Sequence, residues 1–375
     1  MVIKYFPQGI ATDGDFCNRV NERTLLKRKI ESNEHTVLIA PRRYGKTSLM
    51  AQILKENDFP GTSIDFFFVL NQSEVTKHIF DSVSDMMIKL MPKGKAAANK
   101  LLEAIRVLNP RLSFSLFGQK LELNVSQHNE KSISDVLLAL DQFAQKVKKS
   151  CVLIFDEFQQ IGELKENHAI EAAIRHAVER SKNISYIFCG SKRHLLNKMF
   201  SDKSRPLYHL CDLMTIDRID RSCYELFLDD LAKKKWKKKI SQDVVAEIID
   251  LTENHPYYLN AICRNLWRED APPTTVSVQL AWDNYVNQQS PWIVTDLSGL
   301  TLNRRKVIQK LSLKPTDEPQ GIAFLDKLSM NHGSVKKCID ALLAVDMIYR
   351  DKEGMYRVLD PAINYFIKNK KGRLV

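Results

Sequence analysis

The run Ala40–Pro41–Arg42–Arg43–Tyr44–Gly45–Lys46–Thr47–Ser48 sets a glycine, a lysine and two hydroxyls directly behind a short apolar stretch, His35 to Ala40. A lysine ammonium, a turn of backbone N–H groups and the positive end of a helix together suit a polyphosphate. On that chemistry the loop formed by Pro41, Arg42, Arg43, Tyr44, Gly45, Lys46, Thr47 and Ser48 wraps the phosphates. Lys46 neutralises the β- and γ-phosphates, and the Thr47 hydroxyl holds Mg²⁺. The pattern G-x-x-x-x-G-K-[ST] is met except at its first position, Ala40. A methyl there is harmless at negative φ and costly at positive φ.

Two further groups belong to the same chemistry. CVLIFDEFQQI (Cys151 to Ile161) ends an apolar run in Asp156 and Glu157. Asp156 suits a Mg²⁺ ion through its water shell, and Glu157 suits a general base that takes a proton from water. ISYIFCGSKRHLL (Ile184 to Leu196) ends another run in Gly190–Ser191, a small hydroxyl able to touch a γ-phosphate or that water, or a plain turn and helix cap.

All three groups need a sheet that delivers its strand ends to one edge. Five segments read as strands: His35–Ala40, Thr62–Val69, Cys151–Phe155, Ile184–Cys189 and Asp212–Ile216. Continuous apolar strands separated by helices predict a parallel sheet covered on both faces, with ligands at its carboxyl edge. About 110 positions separate Lys46 from Asp156, room for intervening strands. Leu112 to Val125 suggests a small hairpin insertion.

Beyond about Asp217 helices predominate. Arg221–Lys235, Ser241–Thr252, Pro256–Glu269 and Thr275–Gln288 read as a helical unit, and Gln289–Ser298, with Pro291, as a connector. Leu302–Leu311, Ile322–Ser329 and Ser334–Leu343 then read as helices. MIYRDKEGMYRVLDP follows with a hairpin around Lys352–Glu353–Gly354. Three helices and a hairpin are the plan of a winged helix. The expected division is an α/β core over 1–218, a helical lid over 219–294 and a winged helix over 295–375.

Composition bounds the alternatives. A chain of 375 residues with 44% hydrophobic and 27% charged residues is neither disordered nor fibrous. No apolar run reaches the roughly 20 residues of a membrane helix, and the N-terminus lacks a secretory pattern, so a cytoplasmic protein is expected. Seven scattered cysteines without a CxxC pair predict free thiols, not a disulfide framework or zinc site. The net charge is +11, and from Thr295 onward 15 Lys/Arg face 9 Asp/Glu. A basic tail suits an anionic partner such as DNA, or is a solvated surface. On DNA, Lys336 and Lys337 would lie on the recognition helix, with Arg350, Lys352 and Arg357 on or beside the wing. A protein-docking module is the other reading. KKKWKKK (Lys233 to Lys239) reads as a phosphate-backbone patch, or as a solvated turn with Trp236 packed inward.

The order of motifs resembles the archaeal-type ATPase family, P-loop ATPases also found in bacteria and related to the AAA+ and STAND NTPases. The resemblance rests on FCNRVNERTLL (Phe16 to Leu26), the phosphate loop, FDEFQ (Phe155 to Gln159) and YIFCGSKRHLL. It continues through Met199 to Tyr208, HPYYL (His255 to Leu259) and the closing VLDPAINYF (Val358 to Phe366). It implies Mg²⁺-dependent ATP binding and hydrolysis, with Phe16, Asn18 and Arg19 beside the adenine and Ser191 as a sensor. It also implies a lid helix starting at His255–Pro256, although Asn254 stands where a glycine is usual. Arg205 falls where relatives carry an arginine finger acting on a neighbouring subunit, or is a structural arginine beside Pro206. The reading is therefore an ATPase acting on DNA, or a slow nucleotide switch that recruits a protein partner or a second copy. A nucleotide-independent DNA regulator would need the loop to have decayed, with Ala40 as its only support.

Overall fold

The computed structural model describes residues 5–92, 95–109, 112–117, 120–125, 130–326 and 328–369. The chain forms two compact units. One joins Arg19–Arg42 to Lys46–Asp217, and the other joins Met1–Asn18, Arg43–Gly45 and Arg218–Val375.

The first unit is α/β. In chain order it comprises α1 (Val20–Glu31), β1 (Thr36–Ile39), α2 (Lys46–Glu56), β2 (Gly61–Asp65), α3 (Gln72–Leu90) and α4 (Lys95–Leu108). There follow β3 (Leu112–Phe117), β4 (Lys120–Val125), α5 (Glu130–Val147), β5 (Cys151–Asp156), α6 (Asn167–Val178), β6 (Ile184–Gly190), α7 (Arg193–Ser201) and β7 (Asp212–Thr215). Five strands form one parallel sheet in the order β2-β5-β6-β1-β7, and β3 and β4 pair as the expected antiparallel hairpin. Every residue of β1 and β6 is buried, as are the first five of β5. Burial on both faces is why these strands are continuously apolar and do not alternate. Phe155, Phe158, Tyr186, Phe188 and Phe200 form the centre of this core, with the Phe158 and Phe188 ring centroids 4.7 Å apart.

The second strand ends sooner than the apolar run suggests. Thr62–Val69 is expected, but β2 stops at Asp65. The Phe67 N–H donates to Asp65 Oδ1 at 2.9 Å, and Val69 N–H closes on Phe66 O at 3.3 Å. An aspartate that captures the amide two residues on turns the backbone out of the ladder.

The second unit is mostly helical: α8 (Arg221–Trp236), α9 (Gln242–Thr252), α10 (Pro256–Leu266), α11 (Thr275–Ser298), α12 (Leu302–Leu313), α13 (Ile322–Leu325) and α14 (His332–Ala344). It closes with the antiparallel pair β8 (Ile348–Arg350) and β9 (Tyr356–Val358), then α15 (Pro361–Asn369). One apolar core runs through it, from Tyr224 and Ile248 to Trp282, Leu311, Leu342 and Phe366.

The expected connector at Gln289–Ser298 is the second half of α11. Proline lacks the N–H that would bond the carbonyl four residues back. Here that carbonyl belongs to Asn287, and the Ser290 hydroxyl donates to it at 2.7 Å. The replaced bond lets the helix pass Pro291. The β8–β9 turn forms where expected: Asp351 Oδ1 accepts Glu353 N–H at 3.0 Å and Met355 N–H at 2.9 Å, and Gly354 takes φ +86°. In the lysine run, Lys237 ends α8 in the left-handed region at φ 59°. Trp236 packs inward, its ring 5.0 Å from that of Trp267, and Lys234 and Lys239 pair with Asp230 and Asp229. All seven cysteines are free thiols. Among the described residues no helix is long and apolar enough to cross a membrane.

Candidate nucleotide site

Strand order brings the sequence-predicted groups together. The phosphate loop leaves β1, Gly190–Ser191 end β6, and Asp156–Glu157 end β5; β6 lies between the other two. Register aligns Ile39 with Gly190, and Phe155 with Phe188. Ser191 therefore sits between the loop's first residues and the acidic pair.

The loop begins in buried Ala40, whose φ lies outside the left-handed region. The methyl that departs from the G-x-x-x-x-G-K-[ST] pattern thus carries no backbone strain. Gly45, at φ +86°, occupies a conformation that a side chain would strain. Lys46 begins α2 with only 7% of its surface exposed, and its ammonium donates to Ala40 O at 2.9 Å and Pro41 O at 3.1 Å. Pro41 is buried, Arg42 and Thr47 are exposed, and Ser48 is half-buried. The loop's tip, Arg43, Tyr44 and Gly45, belongs to the other unit.

Glu157 is the most constrained acid. Its backbone is left-handed at φ 50°, which costs a non-glycine residue about 1 kcal/mol. The next residue, Phe158, is fully buried and stacks on Phe155 at 5.8 Å, which offsets that cost. Glu157 Oε2 accepts the Ser191 hydroxyl at 2.7 Å and the Gln159 side-chain amide. Gln159 is 1% exposed, and its Oε1 is buried without a hydrogen-bond partner. A Cβ on Gly190 would lie 1.9 Å from that oxygen, so any larger residue here must displace the Gln159 amide. The Asp156 carboxyl accepts Glu157 N–H at 3.0 Å. Burial pushes its pKa up, as do the charges of Glu157 and Asp65, while that backbone bond and the Lys46 ammonium pull it down. Asp65, register partner of Asp156, completes the acidic strand ends.

Arg205 stands apart from this group. It pairs with Glu171, which has no exposed surface; Glu171 Oε2 and Arg205 Nε are buried without hydrogen-bond partners. Burial pushes the Glu171 carboxyl up to about 7, against the pull of the Arg205 charge. Arg19 caps α1 at φ 58° and is buried, donating to Glu22 at 3.0 Å and Asp217 O at 2.9 Å.

The second unit holds the remaining expected residues. Phe16 and Asn18 are half-buried, and Asn18 donates to the Cys223 sulfur. Pro256 opens α10, and His255 caps it through Nδ1, which accepts Tyr257 N–H at 3.3 Å. Burial first, then the Arg218 and Arg43 charges, hold the His255 pKa well below its usual value. Asn254, in the place of the missing glycine, takes φ 59°, a region asparagine tolerates better than most. Lys336 and Lys337 are exposed on α14. Arg357 is paired with Asp351, and Arg350 is bound to Gly354 O at 2.9 Å and lies over the Tyr356 ring. Lys352 is exposed at the β8–β9 turn.

Sequence reasoning missed Gln159, Asp65, Glu171 and Arg218. Gln159 alone left a local trace, two residues beyond Glu157 as the last residue of the FDEFQ motif.

Comparison with known proteins identifies the family and the fold. The sequence pattern of an ATPase domain predominantly from Archaea matches residues 16–262. An uncharacterized ATP-binding protein of Methanocaldococcus jannaschii is 25% identical over 272 residues, 68% of this chain and 72% of that protein. Among solved structures, the Walker-type ATPase of Pyrococcus abyssi aligns over 97% of this chain and 99% of its own, at 16% identity and a TM-score of 0.69. The ORC2 protein of Aeropyrum pernix, solved in ADPNP–ADP complexes, aligns over 95% and 96% at 12% identity and a TM-score of 0.54. These two likenesses concern the fold. The chain belongs to the family of ATPase domains found predominantly in Archaea.

Proposed function

We propose that the chain binds Mg·ATP at the carboxyl edge of the sheet and hydrolyses its γ-phosphate bond. The observation that carries the reading is the Glu157 carboxylate, fixed by Ser191 and Gln159 at the end of β5 while Lys46 is buried at the start of α2. The loop from Pro41 to Ser48 and the N-terminus of α2 receive the phosphates. Lys46 exchanges the Ala40 and Pro41 carbonyls for β- and γ-phosphate oxygens. Glu157 takes a proton from water as the water oxygen attacks phosphorus; the bond to the β–γ bridging oxygen breaks, leaving ADP and phosphate. Ser191 holds the base and would offer its hydroxyl to the γ-phosphate or the water. Thr47 and Asp156 fit a Mg²⁺ ion: Asp156 is an acid crowded by Glu157 and Asp65, and Thr47 offers an exposed hydroxyl. When bound, that ion supplies positive charge to the phosphate oxygens.

Arg205 is assigned a structural role, because its guanidinium is committed to buried Glu171. Phe16, Asn18, Arg19 and Pro256 enter as adenine and lid residues through the family resemblance alone. Helices α12–α14 with β8–β9 are read as a winged helix. Lys336, Lys337 and Lys352 suit a DNA backbone, whereas the Arg357–Asp351 pair favours the second reading, a nucleotide switch that docks a protein or another copy. ATP turnover tests the mechanism: Glu157→Gln keeps the shape and loses the base, so turnover falls about 10²–10⁴-fold while ATP still binds. Turnover at the parent rate would remove Glu157 from the reaction.

A further inference from the structure

Tyr44 lies at the tip of the phosphate loop, between Arg43 at φ 67° and Gly45 at φ +86°. It is 3% exposed, and its ring meets His255 edge-on at 4.8 Å. Its hydroxyl accepts a hydrogen bond from Arg218 Nε at 3.2 Å. The other Arg218 nitrogens are committed elsewhere. Nη1 donates to Glu253 O and Glu253 Oε2, both at 2.8 Å, and Nη2 donates to Leu359 O at 2.8 Å. The guanidinium also lies over the Tyr349 ring, 5.0 Å from its centroid. One planar group therefore holds the loop tip, the turn between α9 and α10, the strand β8 and the residue that follows β9.

We propose that Arg218 is a positioning residue of the phosphate loop and ties the conformation of that loop to the β8–β9 hairpin. The inference rests on the nucleotide reading above. The guanidinium fork is rigid, so its hydrogen bonds cannot be re-aimed one at a time. A displacement of Tyr44 rotates the fork and misaligns its bonds to Glu253 and Leu359 together. The tip has little freedom to absorb the change. Arg43 sits in a left-handed conformation that costs about 1 kcal/mol, and its guanidinium lies 4.3 Å from the centroid of the Tyr257 ring. When phosphates draw the loop backbone toward them, the strain passes through Arg218 to the hairpin.

Amide hydrogen exchange over residues 348–359 of the full chain, with and without a non-hydrolysable ATP analogue, tests the link. Calorimetry sets each variant at equal saturation, so weaker affinity cannot mimic uncoupling. In the parent, the analogue changes hairpin exchange at least about fivefold. Arg218→Lys, which keeps the charge and loses the fork, abolishes most of that change. Tyr44→Phe, which removes one hydroxyl and keeps the ring on His255, does the same and serves should Arg218→Lys fail to fold. A purely structural Arg218 would lower the melting temperature and leave the nucleotide-dependent change intact; that result overturns the inference. So does a parent that binds the analogue with hairpin exchange unchanged. A parent that binds no analogue overturns the nucleotide reading itself, and the inference with it.

Discussion

Replacing Arg205 with alanine separates a structural arginine from one that acts on a neighbouring subunit. Glu171 has no exposed surface, and Arg205 is the cation on its Oε1. Without it the carboxylate is a buried charge with no counter-ion, which costs about 3–5 kcal/mol. For a unit of this size that lowers the melting temperature by roughly 6–20 °C. The effect has a defined pH dependence. Glu171 already sits at about 7 in the folded chain, above its ordinary value of 4.5, because of burial. A raised carboxyl pKa means that the folded state binds more protons, so stability falls as pH rises through the interval between the two values. Loss of Arg205 raises the folded value further and extends the falling limb to higher pH. Arg205→Ala is therefore most destabilised near pH 8. Near pH 5, where Glu171 is neutral, the cost shrinks to about 1–3 kcal/mol, that of an unsatisfied polar group. Glu171→Gln combined with Arg205→Met removes the charge and recovers most of the stability. Scanning calorimetry between pH 5 and 8 measures all three proteins. If Arg205→Ala melts within about 1 °C of the parent at every pH while ATP turnover collapses about 10³-fold, the reasoning fails and the arginine acts in catalysis.

Two further outcomes follow from the same geometry. Gly190→Ala places a Cβ 1.9 Å from Gln159 Oε1, so the amide withdraws and Glu157 Oε2 keeps only the Ser191 donor. Single-turnover hydrolysis then slows on the order of 10²-fold, while ATP affinity measured by calorimetry moves far less. If the C-terminal unit binds DNA, Lys336→Ala with Lys337→Ala lowers the slope of log K against log salt by nearly 2, about 0.9 for each contact. Arg357→Ala adds little to that slope because Asp351 already holds its charge. A salt-independent parent in the same titration leaves the protein-docking reading.

Much of the α/β unit was legible because burial on both faces makes β1, β5 and β6 continuously apolar. The phosphate loop was legible because its chemistry depends on spacing along the chain. Legibility failed where side chains redirect the backbone. The apolar run Phe66–Val69 continues past Asp65, and nothing in its hydrophobicity records that the Asp65 carboxylate captures an amide. Pro291 marks a boundary by ordinary rules, yet the Ser290 hydroxyl replaces the missing donor. Gln159 and Arg218 were illegible for another reason. Their roles exist only once β6 lies beside β5, or once Leu359 and Glu253 close on one guanidinium, and neither contact has a local signature. The departure at Ala40 turned on a dihedral angle that residue type does not specify.

Calorimetric titration of Mg·ATP into the parent and into Lys46→Ala tests the central claim most directly. Lys46 is the buried ammonium of the loop, and its charge-assisted contacts to phosphate are worth roughly 2–4 kcal/mol in a partly buried site. The parent is expected to bind one ATP, and Lys46→Ala to bind it about 30- to 1,000-fold more weakly with its fold intact. Equal affinity in the two proteins, or no binding by the parent, would contradict the assignment of this loop as the nucleotide site.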